Sequence, residues 1–221
     1  RAWMLPVTLP AFAHGKHDAL QFWMNDSEFD YYRRHLLIHE ATHCFMQSMG
    51  GTTRDVPVWY LEGVAELFAT HAPSENGDVR FRVFPERNED HIGFGRIPTI
   101  QRAVAAGRLL TIDDIGRLQP QDFVQNNEAY AWAWALCAWV DAHPRYGELL
   151  RSLSRDYVSE GFHAANVRLF GPVIADLAAE WELFARQVCY GYDIERSAIE
   201  FAGGTTLSES DDVHRTSVAA D

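Results

Sequence analysis

Apolar residues recur at helical spacing over most of this chain, and Pro, Gly, Asn and Asp clusters punctuate them into a mainly helical reading. Pro6 and Pro10 argue against helix in the opening stretch, Arg1 to Lys16, which reads as irregular or extended. Asp18 to Met24 reads as a short strand, and the Asn25-Asp26-Ser27 cluster behind it as a helix start. The helix it opens runs from Glu28 to Met49, where Gly50-Gly51 stops it. A second helix starts near Pro57, a residue suited to a first helical position, and continues to about His71.

Pro73 to Asp78 is rich in turn residues, and Val79 to Phe84 alternates apolar residues with arginines like an edge strand or hairpin arm. Residues 85 to 97 read as a loop. Further helices are expected at Thr99 to Ala106, at Ile112 to Leu118 with Thr111 as cap, and at Asn127 to Ala142 before Pro144. Two more follow, at Arg145 to Val158 and Val173 to Cys189. The expected fold class is mainly α (α+β), with a small N-terminal β component and a helical C-terminal part. Residues 1–202 are expected to form one domain. Gly203 to Asp221, rich in Gly, Thr, Ser and Asp, reads as a flexible tail or linker.

Composition narrows this picture. At 221 residues and 47% apolar content, the chain is long enough for one domain with a real core and too apolar for a disordered one. Thirty-one acidic against 19 basic residues give a net charge of −12, which repels a phosphate backbone and removes nucleic acid from the expected partners. Cys44, Cys137 and Cys189 lie far apart with no CxxC pair, so neither a disulfide framework nor a cysteine-built zinc knuckle is expected. The longest apolar run, Ala129 to Val140, is well short of the roughly 20 residues a membrane span needs. It reads as a buried helix. The chain opens at Arg1 rather than at methionine, which implies a trimmed upstream segment and sets an exported location slightly ahead of a cytoplasmic one.

The placement of the 10 histidines carries the chemistry. His39-Glu40-Ala41-Thr42-His43 is an HExxH sequence set between Leu36-Leu37-Ile38 and Cys44-Phe45-Met46, inside a mostly apolar helix. A helix puts residues i and i+4 on one face, so both imidazoles reach one cation while Glu40, about 100° round, is left to accept a proton from the attacking water. A catalytic zinc site takes three protein ligands and keeps one position open. Glu62, after 18 intervening residues and on the second helix, is the best third ligand if the two helices pack antiparallel. Gly63 would then let the backbones approach closely. Glu66 sits one turn beyond Glu62 in an apolar stretch, where a carboxylate needs a donor. The outward N–H of a ligating histidine is the natural one.

HExxH followed by Trp59-x-x-Glu62-Gly63-x-Ala65-Glu66, with 18 residues between His43 and Glu62, resembles the gluzincin zinc metallopeptidases, most nearly the peptidase MA-like family and more distantly the thermolysin-like and aminopeptidase N-like families. The resemblance is tightest over residues 33 to 70 and extends to about residue 155. It implies a zincin-like catalytic domain with one Zn2+ per chain on His39, His43 and Glu62, Glu40 as general base and Glu66 orienting a histidine. It further implies that Tyr130, heading the Ala-Trp-Ala-Trp-Ala-Leu helix, donates to the oxyanion. The glycine-alanine-methionine-glutamate-asparagine motif of the exopeptidases does not precede residue 39. The extended metzincin pattern is absent too, since Met46 and Met49 stand where it needs glycine and histidine.

Other residues read more plainly. His35, one turn before His39, is expected beside the site or in solvent, because a fourth ligand would close the open position. Cys44 is expected in the core, His91 in a solvated loop, and Trp132, Trp134 and Trp139 in packing. The expected function is hydrolysis of peptide bonds in protein or peptide substrates, with Glu40 as base. Two alternatives share the metal set: a non-catalytic zinc-stabilised interaction module, and a zinc hydrolase of a non-peptide amide.

Overall fold

The structure, a computed structural model, describes residues 11–16, 19–24, 28–48, 55–74, 76–125 and 127–198. Strands β1 (Ala11–Lys16) and β2 (Ala19–Met24) pair antiparallel, Ala11 opposite Met24 and Lys16 opposite Ala19, alongside helix α1 (Asp30–Ser48). Helix α2 (Val58–Ala69) follows, then a second antiparallel pair, β3 (His71–Pro73) with β4 (Val79–Phe81). The remainder is helical: α3 (Arg96–Ala105), α4 (Ile112–Gly116), α5 (Pro120–Gln125), α6 (Asn127–Ala142), α7 (Gly147–Glu160), α8 (Phe162–Phe170), α9 (Ile174–Gln187) and α10 (Ile194–Ser197). The protein is mainly helical with a small β component. Among the described residues no helix is long and apolar enough to cross a membrane.

The core is built around α6. Its sequence has almost no polar face, so it lies buried on all sides, with Trp132, Trp134 and Trp139 fully enclosed. Trp139 packs against Trp181 and Phe184 of α9, and Trp134 against Phe94 before α3. Two of the indole N–H groups find partners: Trp134 Nε1 donates to Thr70 Oγ1 at 3.0 Å, and Trp181 Nε1 to the Leu110 carbonyl at 2.8 Å. Helix α2 crosses α6 at Gly63, where a Cβ would stand 2.6 Å from both the Ala133 carbonyl oxygen and Cys137 Sγ. The close approach expected of Gly63 is therefore made with α6, not with α1.

Other expectations shift in detail. Helix α3 begins at Arg96 rather than Thr99. Pro98 is tolerated there because the first-turn N–H groups have no partner inside the helix. Strand β4 ends at Phe81 because Arg82 turns the chain with φ of 60°, its guanidinium anchored on Asp141 of α6. Helix α7 starts two residues late, after Tyr146, and α9 is trimmed at both ends. Strand β1 falls within the stretch read as irregular or extended, and helices α5, α8 and α10 fall where no element was expected. The Thr111 cap is present as a reciprocal pair, Thr111 Oγ1 accepting from the Asp114 N–H and Asp114 Oδ2 from the Thr111 N–H. The Gly50-Gly51 stop, the Pro6 and Pro10 segment and the tail from Gly203 lie outside the described residues.

Candidate metal centre

Helices α1 and α2 run in opposite directions past each other, as their contacts show in order. His35 Nδ1 donates to the Ala69 carbonyl at 3.1 Å, His39 meets Glu66 and Glu62, and His43 meets Glu62. The i, i+4 spacing of His39 and His43 brings their Nε2 atoms to 3.0 Å from one another. Glu62 Oε2 lies 3.2 Å from His39 Nε2 and 3.3 Å from His43 Nε2. Three donor atoms thus converge as a near-equilateral triangle, and the set qualifies by mutual distance as a metal-holding group. Tetrahedral bonds of about 2.0–2.1 Å separate neighbouring donors by about 3.3–3.4 Å, so two imidazoles and a carboxylate at this spacing fit a Zn2+ ion. Their chemistry fits it as well.

Charge is distributed to match. Burial disfavours a charged His39, but the carboxylates of Glu62 and Glu66 on either side outweigh it and raise its pKa to about 10. Burial pushes Glu62 up, and its bonds to His39 and His43 more than reverse this, to about 2. Without a metal, a proton held by His39 serves as the counter-ion of this cluster.

Behind the triangle sits Glu66, 2% exposed. Its Oε1 lies 3.2 Å from His39 Nδ1, which brings together the pair expected from sequence but without the alignment of a hydrogen bond. Its main partner was not foreseen from sequence. Arg96, at the first position of α3 and 5% exposed, donates from Nε to Glu66 Oε2 at 2.8 Å and from its terminal nitrogen to Oε1 at 2.9 Å. Burial works against ionising Glu66, and Arg96, with His35 and His39, holds its pKa well below the carboxylate range all the same. His35 is fully buried, not solvated; its Nε2 stands 3.3 Å from Glu66 Oε2 without the alignment of a hydrogen bond. His35, His39 and Glu66 also lie within metal-holding distance of one another. The Arg96 fork already neutralises that carboxylate, which leaves the outer triangle as the better cation site.

Glu40 points off the same helix turn, 3% exposed, and its Oε2 has no hydrogen-bond partner among the described residues. Burial raises its pKa, while His39 and His43 pull the other way. Tyr130, at the start of α6, is half-buried with its ring centroid 6.1 Å from that of His39. Burial and the nearby charges of Glu62 and Glu66 raise the Tyr130 pKa and keep its hydroxyl protonated. All six expected site residues therefore meet in one region.

Two side expectations change. Cys44 is only half-buried. His91 is buried rather than solvated, its Nδ1 donating to the Arg87 carbonyl at 3.0 Å and its ring against Tyr31. That placement follows from the 3-10 turn at Asn88–His91, which tucks the loop under α1. Two cavities, of about 700 Å³ beside Trp59, Leu153 and Phe162 and about 1050 Å³ beside His71, Arg80 and His91, are lined by none of His39, Glu40, His43 or Glu62.

Residues 35–160 match the family described as "Protein of unknown function (DUF1570)". The chain belongs to this family. The DUF1570 match opens on His35 itself and takes in His39, Glu40, His43, Glu62, Glu66, Arg96 and Tyr130, so the whole cluster lies inside the shared region. No curated protein and no solved structure matches the chain.

Proposed function

We propose that this DUF1570 chain is a zinc metallopeptidase of gluzincin type, a zincin-like catalytic domain that hydrolyses peptide bonds in protein or peptide substrates. The observation that carries the reading is one cluster holding two kinds of group. His39, His43 and Glu62 present three donor atoms 3.0–3.3 Å apart, and Glu40 beside them keeps a buried, unpartnered carboxylate oxygen. A structural zinc site has no use for such a carboxylate, whose burial without a partner is costly.

His39, His43 and Glu62 would hold the Zn2+ ion. When bound, it supplies Lewis acidity that makes a water nucleophilic at neutral pH and polarises the scissile carbonyl. Glu40 takes a proton from that water as its oxygen attacks the carbonyl carbon. It then delivers the proton to the departing amine nitrogen as the C–N bond breaks. Burial raises the pKa of Glu40 towards the value that suits both halves of this task. Tyr130, protonated beside His39, donates its hydroxyl hydrogen to the developing oxyanion. Glu66, 3.2 Å from His39 Nδ1, draws that side of the ring towards its charge and leaves Nε2 to face the cation.

The substitution Glu40→Gln tests the reading. Zinc content should stay at one ion per chain, while cleavage of unfolded casein falls by about 10²–10⁴-fold. A variant that cleaves casein at the wild-type rate would remove Glu40 from the chemistry. Bound zinc with no cleavage of protein or short amide substrates by the wild type would favour the interaction-module alternative.

A further inference from the structure

Arg96 occupies the first turn of α3, directly after the left-handed Gly95 (φ 65°). A buried cation at a helix N-terminus stands against the helix dipole, so local helix stability does not account for it. Its partners do. Both oxygens of Glu66 accept from its guanidinium at 2.8 and 2.9 Å, a two-point fork that fixes the plane of the carboxylate. With that plane fixed, Oε1 faces His39 Nδ1 at 3.2 Å. The remaining faces of the guanidinium meet aromatic rings, Tyr130 at 5.4 Å and Phe94 at 5.8 Å from its central carbon.

We propose that Arg96 is a positioning residue for this centre: through Glu66 it locks the His39 imidazole in its metal-facing orientation, and through its other face it seats the Tyr130 ring. The assignment rests on the metallopeptidase reading. Lysine cannot reproduce it, because an ammonium is a point charge without a fork or a plane. Free of the fork, Glu66 can rotate about its terminal bond, and the charge that faces His39 Nδ1 at 3.2 Å loses its fixed position.

Co2+ alone is the probe, with its visible absorption as the signature of ligand geometry and competition against a chelator as the measure of affinity. Arg96→Lys should lower Co2+ affinity by about ten- to hundred-fold and change the visible band, as loss of a ligand's outer partner does elsewhere. Since Arg96 acts on the metal through Glu66, the double variant with Glu66→Gln should bind Co2+ no more weakly than Glu66→Gln alone. The pair Arg96→Gln with Glu66→Gln removes both charges together and carries the same comparison should a lone buried charge prevent folding of Arg96→Lys. Wild-type affinity and band in Arg96→Lys, or losses that simply add in either double variant, overturn the assignment while leaving the metal centre in place. A wild-type protein that takes up no Co2+ overturns the metal reading and this assignment with it.

Discussion

At the scale of single residues, the cluster is a contest between a proton and a metal for His39. With its pKa at about 10, the metal-free His39 carries a proton at neutral pH, and the carboxylates of Glu62 and Glu66 hold it there. On the proposed reading zinc displaces that proton, so apparent affinity should rise about tenfold per pH unit between pH 6.5 and 8.5, with one proton released per ion. Competition titrations at three pH values check this, and a flat profile contradicts it. The same residues show how far a sequence speaks for a site. His39, Glu40 and His43 share one helix, and Glu62 and Glu66 share the next, so fixed spacings placed all five. Arg96 left no trace, because its meeting with Glu66, 30 residues away, depends on how α3 starts and packs. Tyr130 could be named only by likeness to a family, since its approach to His39 is set by α6.

At the scale of elements, two contacts hold the site's frame. Gly63 lets α2 lie on α6, and a methyl group there would press on the Ala133 carbonyl and Cys137 Sγ, both 2.6 Å away. Gly63→Ala should therefore destabilise the protein by about 1–3 kcal/mol, seen as a lower urea midpoint. An unchanged midpoint would mean that α2 and α6 can separate freely. His143 at the end of α6 accepts the Arg145 N–H at Nδ1 and donates from Nε2 to Glu180 of α9 at 2.9 Å. Burial lowers its pKa from 6.5 in spite of the Glu180 charge. Below about pH 6.5 the unfolded chain then binds the extra proton, so the stability present above that pH is lost as pH falls. Between pH 7.5 and 5 the wild type should lose more stability than His143→Gln; equal losses would remove His143 from the acid response. The length of α6 was legible from its apolar run between Asn127 and Pro144. Helices α5, α8 and α10, of six, nine and four residues, are too short to show a helical period.

At the scale of the whole molecule, the helical body around α6 presents one edge to α1 through α2, and the proposed ligands lie on both sides of that seam. A cation there would join the HExxH helix to the core that carries Tyr130. The mainly helical class was readable because apolar spacing dominates the chain beyond Asn127, whereas the helix-to-helix seams were not, being decided by single contacts such as Gly63 on Ala133. The most direct measurement is metal analysis after dialysis in metal-free buffer of the wild type, His43→Ala and Glu62→Gln. The account predicts one zinc per chain in the wild type and a large loss in both variants. A wild type without stoichiometric zinc, or variants that keep it in full, would contradict the shared centre of His39, His43 and Glu62.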